Sequence, residues 1–373
     1  LKKSFLLCLF IFGLLALVPN VSASGEGWLD GWDYRQGITI TGSSGAGTNY
    51  QVKLDVTYDA NMQADFDDLR FTDASGITEL DYWIESYVAS TSAVVWVEIA
   101  DNLNVTQEGY MYFGNDAVST TSDGDDTFLF FDDFATLDAA KWSWSGAVVS
   151  GGELVLEPNE WIKSDDLFNS STALETRSNQ SLNSKHNLGF ASDWPAAGAM
   201  WIQHNSLGNA YMFEGHTDTG TLLYPDGVYC IQSLYWKDVD EGAYDINRAA
   251  IEHRDDTDIP DSDMYIGISL WGTSDTDFFA DWLFLRNWIE SEPIASFGIW
   301  NELEPAILYF SVLFDYWALN MGLVFGGLII MLVSVCMMAV KVRDRTITRD
   351  AGILLLFLFC VGWGLFIGGT IIG

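Results

Sequence analysis

Two long uncharged apolar runs close this chain, and they restrict what it can fold into more than any other feature. Residues 318–340 and 351–373 contain no Asp, Glu, Lys, Arg or His. Each exceeds the roughly 20 residues a helix needs to cross a bilayer core of about 30 Å. Between them, residues 341–350 carry Lys341, Arg343, Arg345 and Arg349. Short loops rich in Lys and Arg stay in the cytoplasm, so the pattern predicts a membrane hairpin with loop 341–350 cytoplasmic and everything before residue 318 outside. Residues 305–317 precede it with Tyr309, Phe310, Phe314, Tyr316 and Trp317. These suit a membrane–water interface, with Asp315 at the outer headgroups. Gly322, Gly326, Gly327, Gly362, Gly364, Gly368 and Gly369 would let such helices meet closely, giving a homo-oligomer.

The other terminus agrees. Lys2 and Lys3 precede an apolar stretch over residues 5–18, which Pro19 ends before Val21-Ser22-Ala23. This is the layout of a secretory signal over residues 1–23. The alternative, a retained anchor helix, is short for a span. The expectation is a protein of the cell membrane with residues 24–304 outside the cell.

Charge narrows the partners of that ectodomain. Setting aside Lys2, Lys3 and the four loop bases leaves 11 basic side chains, and setting aside Asp315, Asp344 and Asp350 leaves 49 acidic ones, a net of about −38. Such a surface repels phosphate backbones, so no nucleic acid is expected as a partner. It suits high salt or divalent cations, or reflects a generally acidic proteome. Cys8, Cys336 and Cys360 fall in the signal and the apolar runs, which leaves Cys230 alone outside and no internal disulfide. Stability must then come from a buried core, which a segment of this size can build.

The ectodomain reads as all-β. Tyr50, Val52, Leu54, Val56 and Tyr58 alternate with polar residues, as do Leu80, Tyr82 and Ile84, and Val95, Val97 and Ile99. Shorter strands are expected at Ile38–Ile40, Leu69–Phe71 and residues 110–113, separated by Gly, Ser, Asn and Asp clusters. A polar stretch at 119–126 divides this unit, 24–121, from a second over 122–304. There strands are expected at 153–156, 187–191, 211–214, 228–236, 264–271 and 278–286, with the last of the second sandwich at 296–300. No fixed repeat appears, so two consecutive antiparallel β-sandwiches are predicted rather than a solenoid.

The first unit resembles DUF2341, a domain of unknown function in archaeal and bacterial surface proteins. The resemblance runs over roughly residues 28–134. It is carried by Trp32-Asp33-Tyr34-Arg35, Asp67-Asp68-Leu69-Arg70-Phe71, Leu80-Asp81-Tyr82-Trp83-Ile84-Glu85, Val95-Trp96-Val97, Tyr110-Met111-Tyr112-Phe113-Gly114-Asn115 and Phe131-Asp132-Asp133-Phe134. Glu98 stands where the family usually has a basic residue. The second unit resembles a concanavalin A-like, LamG- or lectin-like jelly roll, through Asp132-Asp133-Phe134, Lys141-Trp142, residues 281–286 and Glu292-Pro293. The resemblance implies a lectin-like sandwich that contacts glycans and assigns no catalytic residue; fold analogy alone does not fix a function.

Catalytic signatures are sparse. His186, His204, His216 and His253 show no zinc spacing, and no nucleophile elbow or phosphate loop appears. A jelly-roll glycosidase needs paired carboxylates across a cleft, commonly as Glu-x-Asp-x-Glu, and Asp238-Val239-Asp240-Glu241 lacks that spacing. No enzyme activity is therefore expected. Calcium takes six to eight oxygens, which clustered Asp can supply. The candidates are Asp123, Asp125 and Asp126, then Asp255, Asp256, Asp258, Asp261 and Asp263, with Asp65, Asp67 and Asp68 a further cluster. The competing reading is a solvated acidic loop in each case. Trp194, Trp201, His204, Tyr211, Trp236 and Trp271 are the ligand-binding candidates, because indoles stack on sugar faces; a packed core is the competing reading. Asn104, Asn169 and Asn179 begin N-glycosylation triplets.

These features point to a non-catalytic cell-surface recognition or adhesion protein that binds glycan or a neighbouring surface protein. The alternatives are a structural envelope or virion component, an accessory subunit of a membrane complex and, ranked last, a glycoside hydrolase on a jelly-roll fold.

Overall fold

The computed structural model describes residues 27–180, 186–193, 197–204, 210–211, 227–238, 241–249, 253–255, 262–270 and 276–302. The expected signal 1–23, interfacial belt 305–317, spans 318–340 and 351–373 and loop 341–350 lie outside these residues. Among the described residues no helix is long and apolar enough to cross a membrane.

Period-two alternation does build the first sandwich. It holds β1 (Tyr34–Thr41), β2 (Tyr50–Thr57), β3 (Arg70–Asp73), β4 (Glu79–Leu80), β5 (Tyr82–Val88), β6 (Ser92–Ile99) and β7 (Gln107–Phe113). In β2, Val52, Leu54 and Val56 are buried while Lys53, Asp55 and Thr57 are exposed, so one face of each strand meets the core. A three-stranded sheet, β2-β6-β5, stacks on a second sheet containing β1, β7, β3 and β4.

A one-turn helix, α1 (Gly124–Thr127), leads out of this sandwich, capped by the Asp123 carboxylate. The polar stretch that reads as a linker is thus partly buried, at Gly124, and Thr127 just after it is buried too.

The second sandwich comprises β8 (Phe130–Asp132), β9 (Trp142–Ser145), β10 (Val148–Val149), β11 (Leu154–Leu156), β12 (Trp161–Phe168), β13 (Thr172–Gln180), β14 (His186–Asp193), β15 (Ala197–His204), β16 (Ala210–Tyr211), β17 (Cys230–Trp236), β18 (Gly242–Ile246), β19 (His253–Asp255), β20 (Met264–Leu270) and β21 (Phe278–Asn287). One sheet has the order β10-β11-β21-β13-β17-β18-β19, with β8 also on β21; the other has the order β16-β15-β14-β20-β12-β9. The chain passes back and forth between them, as a jelly roll does. Leu174, Leu234, Tyr244 and Leu285 of one sheet pack on Ile162, Phe190, Ile202 and Ile268 of the other.

The final strand corrects the expected domain boundary. β22 (Ile294–Glu302) pairs with β1 at the edge of the first sandwich rather than closing the second. Gln36 Nε2 donates to the Gly298 carbonyl at 2.8 Å, and Ala295 and Phe297 pack on the first core. Both sandwiches belong to one compact unit over Glu26–Asn301.

Candidate functional site

The outer face of the larger jelly-roll sheet is not solvent-facing, and that decides where a site can lie. Trp282 and Phe284 of β21 pack with Trp96 of β6 and with Phe128 and Phe131 beside α1. Phe128 and Phe284 stack with centroids 4.1 Å apart, and Trp83 meets Trp282 edge-on at 5.6 Å. Buried aromatic pairs of this kind add about 0.5–1.5 kcal/mol each beyond the area they bury.

Beside this aromatic seam runs a chain of charges. Glu85 of β5 receives both Arg248 terminal nitrogens, at 3.0 and 2.7 Å, and the Trp96 indole N–H at 2.8 Å. Arg248 Nε donates to Glu175 of β13 at 2.6 Å, and Arg286 of β21 donates to the other oxygen of Glu175 at 2.8 Å. Arg286 continues to Glu292 at 2.6 Å, and the Tyr50 hydroxyl donates to the same carboxylate at 3.1 Å. Burial alone would raise the Glu175 carboxyl, but Arg248 and Arg286 outweigh it and hold it below the ordinary range. Gln51, fully buried, bridges the units by donating to the Thr127 carbonyl and accepting from the Asn287 N–H, both at 3.0 Å.

Two clefts open along the seam. The first, about 640 Å³, is lined by Asp65, Asp67, Glu85, Tyr87, Thr120 and Ser122 from the first sandwich and its exit, and by Arg177, Ile231, Asp281 and Trp282 from the second. A β-bulge on each wall falls at an acidic residue that lines it. In β5 the register shifts between Ile84 and Ser86, leaving Glu85 as the extra residue. In β21, Arg177 pairs with Trp282 and Ser178 with Ala280, which makes Asp281 the extra residue. Bulges re-aim side chains and recur beside functional sites. Asp281 pairs with Arg177, whose guanidinium also lies 4.3 Å from the Tyr229 ring centroid. Tyr87 keeps 52% of its surface exposed. An aromatic ring, hydroxyls and carboxylates on facing walls can stack on a sugar and hydrogen-bond its hydroxyls.

The second cleft, about 550 Å³, is lined by Lys53, Asp55, Tyr235, Asp245, Arg248, Arg286, Trp288 and Glu292 among others. Asp245 is 1% exposed and takes the Tyr235 hydroxyl at 2.6 Å. Burial, then the nearby Glu175 carboxylate, pushes the Asp245 carboxyl up to about 6, although the hydrogen bond from the Tyr235 hydroxyl opposes the rise. Ser233 lies directly across from it on β17, yet neither its Oγ nor the second Asp245 oxygen reaches a partner within hydrogen-bond geometry.

The sequence candidates do not gather in either cleft. Trp236 is corrected: it is 2% exposed, packs on Phe190 in the jelly-roll core and donates to the Asp238 carbonyl, so no ligand can stack on it. Trp201 and His204 lie on β15, where Trp201 pairs with Gly189 and His204 with Ala210; Tyr211 lies on β16 opposite Gln203. Trp194 and Trp271 lie outside the described residues. Asp123 caps α1, Asp125 pairs with Lys141 and Asp126 is exposed. Asp255 pairs with Gly242 on β19 and Asp263 is exposed, while Asp256, Asp258 and Asp261 lie outside the described residues. Among the described residues no three carboxylate, His or Cys side chains converge as metal ligands. Asn104 and Asn169 are exposed, Asn104 accepting the Gly45 N–H at 2.7 Å, and Asn179 is half-buried within β13. Sequence reasoning missed Glu85, Arg177, Glu175, Arg248 and Asp281. The visible signal for Glu85, Glu175, Arg177 and Asp281 was charge placed inside strands, and Arg248 sits in the turn after β18.

The family whose profile matches is the domain of unknown function DUF2341, over residues 65–145. That span starts in the first sandwich and ends on β9 of the second. No curated protein matches the chain. Among solved structures, a β-glucanase of Bacillus licheniformis is 13% identical, with a TM-score of 0.35, over 42% of this chain and 97% of that one. A GH16 protein of the Bacteroides ovatus mixed-linkage glucan locus is 16% identical, with a TM-score of 0.34, over 42% and 99%. β-Agarase B of Zobellia galactanivorans is 11% identical, with a TM-score of 0.32, over 44% and 92%. Similarity at this level says nothing about activity, substrate or site.

Proposed function

We propose that this chain is a membrane-anchored cell-surface recognition protein that binds glycan in the first cleft without cleaving it. The observation that carries the reading is one cleft lined by the exposed Tyr87, by Thr120 and Ser122, and by Glu85 and Asp281, each the extra residue of a β-bulge. Both carboxylates are engaged by arginines, Glu85 by Arg248 and Asp281 by Arg177. They are therefore held as fixed acceptors rather than free as acid and nucleophile, which favours recognition over hydrolysis. Display outside the cell rests on the apolar runs, the basic loop and the signal-like start of the sequence.

The test is a glycan array probed with the whole chain in detergent micelles, with calcium and with chelator. Binding is expected to at least one glycan, weakened in Tyr87→Ala. An array on which nothing binds in either condition would sink the glycan reading. A structural role in an envelope draws on a different observation: the edge strand β22 exposes Ile294 by 69% and Ile299 by 82%. Unprotected apolar edges recruit further strands, so a defined oligomer in native mass spectrometry that dissociates in Ile299→Lys would favour that role.

A further inference from the structure

Charge along the seam does not balance. Glu85, Glu175 and Glu292 share the guanidinia of Arg248 and Arg286, three carboxylates to two cations. Asp245 of β18 adds a fourth carboxyl and meets no cation among the described residues. It is almost wholly buried and lines the second cleft. One of its oxygens takes the Tyr235 hydroxyl, and the other has no partner; nor does the hydroxyl of Ser233, directly across the strand pair. A buried carboxylate is stable as an anion only when a cation or further donors meet it.

The wall beside Asp245 is apolar. Tyr235 and Trp288, with ring centroids 4.9 Å apart, pack with Ala173 and Ala243 in one buried cluster, and both rings line the cleft. A group that reaches a carboxylate set this deep must be slender. An ammonium on a methylene chain has that shape, and its three donors can serve both the open Asp245 oxygen and the Ser233 hydroxyl. The rings offer π faces to the cation and apolar surface to the chain. Calcium would take six to eight oxygens, and no three carboxylate, His or Cys side chains converge among the described residues. The formal net charge of −35 adds a field that draws cations in.

We propose that the second cleft binds an unbranched primary amine, its ammonium on Asp245 and its methylene chain against Tyr235 and Trp288. A free alkylamine or a lysine side chain of another protein offers this same chemistry. Binding here does not depend on glycan in the first cleft, and the failure of one leaves the other standing.

The test titrates the whole chain in detergent micelles with n-butylamine, N-acetyl-lysine methylamide, 1-butanol and tetramethylammonium, at one ionic strength set with sodium chloride. At pH 8 the Asp245 carboxyl, at about 6, is ionised, and the amines stay charged below about 10.4. Butylamine should bind at least about tenfold more tightly than butanol, which lacks the charge, or tetramethylammonium, which is too broad. Asp245→Asn should weaken butylamine by at least about tenfold, as expected when one partner of a buried charge pair is removed. Asp116→Asn makes the same change of charge at an exposed position and should leave the affinity within about twofold. A urea midpoint for Asp245→Asn no lower than the parent's shows that a lost signal is not lost folding.

The lysine derivative separates the two sources. Binding as tight as butylamine's identifies a protein lysine as the occupant, and binding at least about tenfold weaker identifies a free amine. No binding of either amine would overturn the proposal. So would butanol or tetramethylammonium binding equally well, or an affinity that survives Asp245→Asn.

Discussion

The first cleft leaves Asp65, Asp67 and the Tyr87 ring open to solvent, whereas along the second the charged side chains are tied to one another. There Arg286, 3% exposed at its side chain, is held between Glu175 and Glu292, and Arg248 between Glu85 and Glu175. The residue types are the same on both sides of the seam. Burial makes the difference: a buried carboxylate must find a cation or shift its protonation, and one at a rim need not. Buried charge, Glu85 included, therefore fastens the two sandwiches, while Asp65 and Asp67 stay at the open rim of the first cleft.

The largest effect should come from opening the fastening. Arg286→Ala would leave Glu175, wholly buried, with one guanidinium where it has two. Removing one partner of a buried pair typically costs about 3–5 kcal/mol. Urea unfolding of the whole chain should shift by that much, and a loss below about 1 kcal/mol would mean that the charge chain is decoration on an aromatic seam. Phe284→Ala probes the seam itself. Phe284 is fully buried and stacked on Phe128, so truncation should cost about 3–4 kcal/mol through lost burial and the space left behind. If the two sandwiches then melt in separate steps, the seam is what makes them one cooperative unit.

Asp245 gives a smaller effect with a defined pH window. Its carboxyl stands at about 6 in the fold against an ordinary value near 3.8. A raised acid favours the folded state below the unfolded value, and that contribution is lost as pH rises through the folded one. The difference corresponds to at most about 3 kcal/mol, lost between roughly pH 4 and pH 6. Asp245→Asn keeps an acceptor for the Tyr235 hydroxyl and carries no charge. It should raise the melting temperature at neutral pH and flatten the dependence between those limits. A variant with the same pH slope as the parent would show that Asp245 is not the group responsible.

Strands with one wet face were legible in the sequence, because alternation survives wherever water covers one side. β2 read clearly for that reason, with Lys53, Asp55 and Thr57 on its exposed side. β13 did not, although it lies at the middle of the larger sheet. Its outward positions carry Glu175 and Arg177, committed to Arg286, Arg248 and Asp281, and its inward ones include Thr176 and Ser178 beside Leu174. Polar on both faces, it had no period to detect. The same cause hid the candidate site. Glu85 and Asp281 matter because each is the extra residue of a bulge, and a bulge is a mismatch between two strands that neither strand's own sequence records. Trp236 misled for the opposite reason: an indole near a strand end suits a sugar platform and a core equally, and its neighbour Phe190 decides between them.

Tyr87→Ala sharpens the contrast from the side of the first cleft, where the expected change in stability is smallest. The ring is half exposed and meets Phe66 of the first core edge-on at 6.2 Å. Surface truncations of this kind usually move stability by no more than about 0.5 kcal/mol. Affinity should behave differently, because the ring is the exposed aromatic platform of that cleft and its loss removes the stacking face offered to a sugar. The measurement pairs a urea titration with a glycan titration on the same preparation. A silent urea midpoint with weakened binding would separate a recognising cleft from a fastening one. A shifted midpoint would instead place Tyr87 with the residues that hold the fold, and the two sides of the seam would no longer differ in kind.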